Sequence, residues 1–181
     1  MFIQKTRGSI QTFFYSPFSE WLLDWSSAET VTLTTKPSAY YGGFVYRLDT
    51  KTSSLEKITG GASGLTFDDS GVLFGFLGTA TENSISLYSF NKEGLGVTNL
   101  GIGILLEICI IHSMSVFYFF VPTSIPSGVY PDDWYKGKAS FNDSLWRVDL
   151  NNKVVNKVAD ISQVAGYSVD GISPVISGDN E

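Results

Sequence analysis

The sequence predicts an all-β fold of the β-propeller type, because one two-stranded module recurs along the chain. Its first copy is FVYRLDTKTSSLEKIT at residues 44–59. The first strand of the module recurs as LYSFN at residues 87–91 and as LWRVD at residues 145–149, and its second strand, LEKI, recurs as VTNL and VNKV. Eighteen glycines, with short alternating stretches rich in Thr, Val, Ile, Tyr and Phe, also favour β-structure over helix.

Two markers place the three copies in one register. Tyr46, Tyr88 and Trp146 occupy the same position of the first strand, at intervals of 42 and 58 residues. The second strands begin at the same two intervals. A repeat of about 40–45 residues that contains several short strands is typical of propeller blades.

The register divides the 181 residues into about three four-stranded blades with partial blades at both ends. The complete blades are expected at residues 19–60, 62–100 and 105–159, and single strands of neighbouring blades at residues 9–14 and 171–177. Closed propellers typically have four to eight blades. We therefore expect an incomplete propeller, whose uncovered faces and strand edges favour self-association.

The first blade follows from alternation and turn chemistry. WLLDW at residues 21–25 predicts its inner strand, and VTLTT at residues 31–35 alternates with the period of a second strand. A loop that begins at Lys36 and contains Pro37 leads to the module strands. The module strand ends in Asp or Asn in each of its three copies.

In the second blade, strands are expected at residues 65–67, 72–77, 84–90 and 95–100. DDSG at residues 68–71 predicts a turn, in which Asp caps its own backbone and Gly accepts a positive φ. A calcium loop needs more oxygen ligands at regular spacing than this stretch offers. The sequence therefore predicts no metal site here.

Residues 101–121 are the most apolar run, and two interpretations of it are open. A membrane-spanning helix needs about 20 apolar residues, but Glu107 and the sequence HSMS at residues 112–115 interrupt the run. The repeat register expects a turn at HSMS. This favours two buried strands, and it makes His112 a turn residue and Cys109 a buried apolar filler.

An insertion at residues 122–142 lengthens the third blade. Its sequence, PTSIPSGVYPDDWYKGKASFN, contains three of the six prolines and is too irregular for a strand. Charged residues flank aromatic residues within one short window, which is typical of a recognition surface. The candidate ligand-binding residues are Tyr130, Asp132, Asp133, Trp134, Tyr135 and Lys136. The alternative is that Trp134 and Tyr135 fold back and plug the end of the blade.

Composition narrows the classes of function. The net charge of −6 and the absence of a basic cluster in the sequence argue against a nucleic-acid partner. The single histidine and single cysteine give no Cys/His metal cluster and no evident nucleophile–base pair, and GYSVD at residues 166–170 departs from the G-x-S-x-G elbow in its last residue. We therefore expect no catalytic residues, no metal and no cofactor.

Four segments resemble uncharacterised bacterial hypothetical proteins with a TolB-like or WD-type propeller: SPFSEWLLDW, TLTTKPSA, VYRLDTKTSSLEKI and PSGVYPDDWYKGKASFNDSLWRVDL. The resemblance covers most of the chain and implies a propeller carried outside the cytoplasm behind a membrane anchor. The N-terminal stretch itself lacks the apolar core of a secretory signal. The resemblance brings no catalytic residues with it.

Two functions from different classes are compatible with these observations. The favoured one is a non-enzymatic propeller scaffold that binds a peptide, a glycan or a protein through its rim loops. The alternative is the propeller portion of a larger hydrolase, similar to prolyl-oligopeptidase-like peptidases, whose catalytic domain lies outside this chain.

Overall fold

The computed structural model describes residues 2–6, 9–68, 74–91, 96–105, 109–111, 113 and 115–172. Antiparallel strands dominate this part of the chain, and the two helices in it are only four and five residues long. The prediction of a mostly β, antiparallel fold is confirmed.

Every sheet is formed by strands that are consecutive in the chain. The N-terminal hairpin contains β1 (Phe2–Thr6) and β2 (Ser9–Phe14). The first sheet contains β3 (Trp21–Ser27), β4 (Thr30–Thr35), β5 (Gly42–Asp49) and β6 (Leu55–Ser63). The second sheet contains β7 (Thr66–Asp68), β8 (Phe74–Thr81), β9 (Ser84–Asn91) and β10 (Thr98–Asn99). The third sheet contains β11 (Cys109–Ile111), β12 (Val116–Pro122), β13 (Asp143–Asp149) and β14 (Val154–Asp160). The helices are α1 (Asp132–Tyr135) and α2 (Ile161–Ala165).

The third and fourth strands pair in the same register in all three sheets. The aromatic marker of each third strand lies opposite a residue eleven positions further on, in the pairs Tyr46 with Lys57, Tyr88 with Asn99, and Trp146 with Lys157. A bulge lies immediately before the marker in the first and third sheets. The sequence repeat is therefore also a repeat of backbone pairing.

The Asp that ends each of two third strands explains why this residue type recurs. Asp49 accepts hydrogen bonds from the amides two and three residues ahead, both at 2.8 Å. Asp149 accepts one from the amide three residues ahead at 3.1 Å. Ser53 and Lys153, at equivalent positions of the two turns, both have left-handed backbone angles, with φ of 59° and 53°. A short carboxylate thus stabilises a tight turn to the fourth strand in both sheets.

The largest core cluster lies between the second and third sheets. Phe76 on β8 is 1% exposed and makes edge-to-face contacts with Phe117 and Phe119 on β12, at centroid distances of 4.6 and 5.2 Å. Leu87 and Val148 complete this part of the cluster. Burial on this scale is the main force that holds two neighbouring sheets face to face.

Strand β4 of the first sheet is buried on both of its faces. Val31 and Leu33 form a cluster with Leu48, and Phe14 of the N-terminal hairpin packs against it. Gly64 follows the first sheet with φ of +57°, and a Cβ there would lie 2.4 Å from the Ala80 carbonyl oxygen. Only glycine combines this backbone angle with this close approach to the second sheet.

The apolar run forms two antiparallel strands among its described residues. Ile111 of β11 pairs with Phe117 of β12, so the chain reverses direction between these two strands, where the repeat register predicts a turn. The amide of Ser113 donates to the Val116 carbonyl at 3.1 Å. Among the described residues, no helix has both the length and the apolar character to cross a membrane.

Two local elements differ from the sequence analysis. Residues 9–14 are not a lone strand, because β1 pairs with them. Its sequence FIQKT alternates too weakly to predict a strand unless its partner is known. The other element is α2, which the strand register does not predict: Asp160 caps it by accepting from the Gln163 amide, and Gly166 ends it with φ of +79°. This is an N-cap and C-cap pair that the sequence contains.

Three expectations concern residues outside the described ranges. They are the turn at residues 69–71, the role of His112, and most of the strand expected at residues 171–177. The side chain of Cys109 lies outside the description as well.

Candidate functional site

The insertion connects β12 to β13 of the third sheet and reaches across to the other two sheets. Its contact with the second sheet is a β-bridge between Val129 and Glu82. Next to this bridge, the Asn83 amide donates to the Gly128 carbonyl, and the Gly128 amide donates to the Asn83 side chain, both at 3.1 Å. The insertion is therefore fixed to the turn between β8 and β9.

Asp132 holds the insertion to the first sheet. Its carboxylate accepts from the Ala39 amide at 2.8 Å and from the Ser38 hydroxyl at 3.3 Å. The Asp132 side chain is only 17% exposed, and the Lys136 ammonium lies 4.0 Å from its carboxylate. Lys136 is the residue that caps the C-terminal end of α1. The partner residues are in the loop between β4 and β5, more than 90 positions earlier in the sequence.

Asp133 stabilises the insertion from within. Its carboxylate accepts from the Val129 amide at 2.9 Å, and its main-chain carbonyl accepts from the amides of Lys138 and Ala139. The Lys138 ammonium lies 4.0 Å from the carboxylate. The neighbouring acids Asp132 and Asp133 thus bind different parts of the protein, and neither is a fully solvated loop residue.

Tyr130 is the centre of a small core beneath the insertion. It is 0% exposed and packs with Ile85, Leu105 and Phe141. Its hydroxyl donates to the Pro126 carbonyl at 2.7 Å. Burial raises the pKa of this phenol, and the Asp133 carboxylate adds to the effect, so the ring stays neutral. A ligand at this rim would therefore contact the neighbours of Tyr130 and not Tyr130 itself.

Trp134 faces the same core and is partly buried. It packs against the cluster around Tyr130, and its indole Nε1 donates to the Asp170 carboxylate at 3.2 Å. The Phe141 amide donates to the same carboxylate at 3.0 Å. Trp134 thus links the middle of the insertion to the segment that follows α2, which is the arrangement expected of a plug.

Tyr135 points toward a different neighbour. Its ring lies 5.3 Å from the Trp134 ring, and the Lys36 ammonium lies 5.9 Å from its centroid. Lys36 also forms an ion pair with Glu20 at 2.9 Å. The aromatic face and the ion pair together form the boundary between the insertion and the first sheet.

Two shallow hollows of about 260 and 380 Å³ lie at this boundary and share Ser19, Glu20 and Lys36 as lining residues. Large aromatic side chains stand around them. Phe18 is 53% exposed, Tyr40 66% and Tyr41 77%. We call the surface formed by Phe18, Glu20, Lys36, Tyr40, Tyr41 and Tyr135 the rim patch.

A larger cavity of about 460 Å³ lies between the second and third sheets. It is at the C-terminal ends of β9 and β13, and the insertion is at the other end of β13. Phe90, Leu100 and Val155 give it an apolar lining, and Asp149 borders it. The Asp149 carboxylate is already bound by Arg147 and Asn152. Within the described ranges, no three His, Cys, Asp or Glu side chains are grouped so that they could hold a metal ion.

The six predicted site residues lie in one short segment of the sequence, and the structure gives them different roles. Tyr130 and Trp134 face the core, Asp132 and Asp133 bind main-chain amides, and the Lys136 side chain is 54% exposed. Hydrogen-bond partners of the insertion that the sequence did not predict include Ser38, Ala39, Asn83 and Asp170. No sequence signal connects these residues to the insertion, because the contacts join separate loops.

No protein-family model and no curated protein matches the chain. Among solved structures, the chain is similar to the crystal structure of an ACO/RPE65 chimera, at 10% identity and a TM-score of 0.41. The similarity covers 72% of this chain and 34% of the chimera, so the chain spans about a third of the length of that protein. A similarity this low supports no inference about function.

Proposed function

We propose that this chain is a non-enzymatic scaffold of the β-propeller type that binds a peptide, a glycan or a protein through the rim patch. Consecutive four-stranded antiparallel sheets with one repeated register, and a core shared by the second and third of them, support the propeller interpretation. Such a scaffold holds its loops rigidly, and rigid scaffolds commonly place recognition on loops.

One observation carries the proposal: the exposed rings of Phe18 and Tyr41 line one hollow of the rim patch, and the exposed Tyr40 is next to Tyr41 in the chain. Tyr41 and Tyr40 are more than half exposed. Aromatic side chains contribute most to the free energy of folding or binding when they are buried. Tyrosines of this kind bury much area on binding at a small cost in side-chain entropy. The Glu20–Lys36 ion pair adds one charge of each sign, which can orient a polar ligand.

The insertion contributes by fixing the geometry of the patch. Asp132 holds the loop that precedes Tyr40, and Tyr135 closes one side of a hollow. We therefore propose that Asp132, Trp134 and Lys136 support and border the rim patch, and that they do not form the binding surface themselves.

Replacing Tyr41 with alanine should weaken binding without affecting stability. The probe is an array of immobilised peptides and glycans, because the proposal includes both classes of ligand. For any ligand captured by the unchanged protein, Tyr41→Ala should weaken binding at least tenfold, the usual effect of an aromatic hot spot. The melting temperature should stay within about 1 °C, because the side chain is 77% exposed.

The matched control is Tyr167→Ala, which removes a 70% exposed tyrosine outside the rim patch. This variant should bind as the unchanged protein does. Equal losses in the two variants, or binding that neither variant weakens, would contradict the assignment of the patch.

We also propose that the chain self-associates through the apolar edge strand β3. This strand is at the edge of the first sheet, and Leu22, Leu23 and Trp25 on it are 38, 52 and 51% exposed. An apolar edge strand is a template for pairing with another chain. Sedimentation velocity should show concentration-dependent species larger than the monomer, and Leu23→Lys should shift them toward the monomer. A single monomeric species at every concentration would refute this proposal.

A further inference from the structure

Asp143, the first residue of β13, is a buried carboxyl group with one unsatisfied oxygen. It is 0% exposed. Its Oδ2 accepts from the Gly171 amide at 2.8 Å, and its own amide donates to the Val169 carbonyl at 2.9 Å. Among the described residues, its Oδ1 has no hydrogen-bond partner. An unsatisfied buried polar atom costs about 1–3 kcal/mol, and more when it is charged.

A second carboxyl group lies beside it. Asp170 is adjacent in sequence to the Gly171 amide that Asp143 binds, and it accepts from Trp134 and Phe141 of the insertion. The segment 169–171 therefore binds the middle of the insertion, its last residues and the start of β13. Asp170 is only partly buried, but its negative charge makes ionisation of the buried Asp143 carboxyl less favourable.

We propose that Asp143 is a proton-operated latch for the insertion. When the carboxyl of Asp143 carries a proton, no charge is buried at the oxygen that has no partner, and the repulsion with Asp170 disappears. The insertion is then held firmly against residues 169–171. When the proton leaves, a buried charge without full hydrogen bonding remains, and this hold weakens. The latch acts without any ligand and does not depend on the proposed rim patch.

Other titratable groups near Asp143 are engaged elsewhere. On β14, Lys157 and Asp160 pair with each other at 3.1 Å. The sequence of α2, which packs on β13, contains no titratable side chain, and Tyr118 is the titratable residue of β12. In the insertion, Lys136 lies near Asp132 and Lys138 near Asp133. The charged group whose electrostatic effect on Asp143 is resolved is Asp170.

The electrostatics support the same conclusion and give its sign. Burial raises the pKa of Asp143 to about 6, the Gly171 amide opposes the rise, and the Asp170 carboxylate adds to it. Because the folded pKa lies above the ordinary value of 3.8, the folded protein binds this proton more tightly than the unfolded chain does. The resulting stability is complete below about pH 4 and is lost as the pH rises through about 6.

The first test is the pH dependence of unfolding in denaturant. Between pH 5 and pH 7.5, this group should raise the unfolding equilibrium constant about tenfold. Asp143→Asn resembles the protonated acid, so it should fold, be the more stable protein at pH 7.5, and lack this tenfold change. Glu82→Gln, an exposed acid, is the matched control and should keep it. An Asp143→Asn variant with the same pH dependence as the unchanged protein would overturn the proposal.

The second test is local. Hydrogen exchange at the amides of Phe141 and Gly171, corrected for the intrinsic effect of pH, should slow about tenfold at pH 5 relative to pH 7.5. Asp170→Asn should move this transition to lower pH, because it removes the neighbouring negative charge. The measurements are made in EDTA and repeated with 1 mM Ca²⁺. If Ca²⁺ alone restores slow exchange at pH 7.5, a cation and not a proton fills the gap, and the latch as stated is wrong.

Discussion

Replacing Tyr130 with alanine should lower the free energy of unfolding by about 3–5 kcal/mol, the usual cost of truncating a buried aromatic residue. The ring is 0% exposed and is the largest fully buried side chain in the described part of the chain. Its loss opens a cavity between the insertion and residues such as Ile85 and Leu105, which the surrounding loops cannot fill. Equilibrium unfolding in urea, monitored by tryptophan fluorescence, measures the change.

Tyr130→Phe is the matched control, because it keeps the ring and removes only the hydrogen bond to the Pro126 carbonyl. It should cost about 1 kcal/mol. Trp134→Ala should fall between the two variants, since the indole is partly exposed but packs on the same core and bonds Asp170. If Tyr130→Ala costs less than its phenylalanine control, the insertion is not packed as a plug.

Replacing Phe76 with alanine should lower the free energy of unfolding by a similar amount, about 3–5 kcal/mol. Phe76 lies on the second sheet, and its edge-to-face contacts with Phe117 and Phe119 lie on the third. Each such ring pair contributes about 0.5–1.5 kcal/mol beyond the area that it buries. The variant therefore removes the centre of the core shared by the two sheets.

The control is Phe76→Leu, which keeps an apolar side chain of similar size and should cost less than about 1.5 kcal/mol. Thermal unfolding followed by far-UV and near-UV circular dichroism shows whether the sheets unfold together. Coincident transitions at a lower temperature are expected for Phe76→Ala. A transition that splits in two would mean that the second and third sheets are independent units, contrary to the shared core.

Much of the strand pattern could be predicted from the sequence, because its causes are local. An aromatic residue at Tyr46, Tyr88 or Trp146 and an Asp or Asn three residues later specify a strand and the turn that ends it. These local signals repeat at fixed intervals, so the pairing of third with fourth strands follows directly. The same reasoning placed the turn between β11 and β12, because a polar interruption in an apolar run is also a local feature.

The candidate site could be predicted only as a segment. Composition identified the window from Tyr130 to Lys136, since aromatic residues flanked by charges on a loop are typical of a recognition surface. The direction of each ring was not predictable, because Tyr130 is buried by Ile85 and Leu105 of other parts of the chain. Exposed Tyr40 and Tyr41 carry no sequence signal of their own, and they become candidates only when the insertion is seen to lie beside their loop.

The sequence by itself determined the antiparallel β-structure, the repeat of the third and fourth strands, and the position of the insertion in the third unit. These features depend on alternation, turn chemistry and spacing, which act over a few neighbouring residues. Only the tertiary structure decided that Asp132 binds the loop at Ala39, that Trp134 binds Asp170, and that Asp143 is buried beside a second acid. These are contacts between residues 28 to 93 positions apart, and their energies depend on burial and direction, which no local pattern specifies.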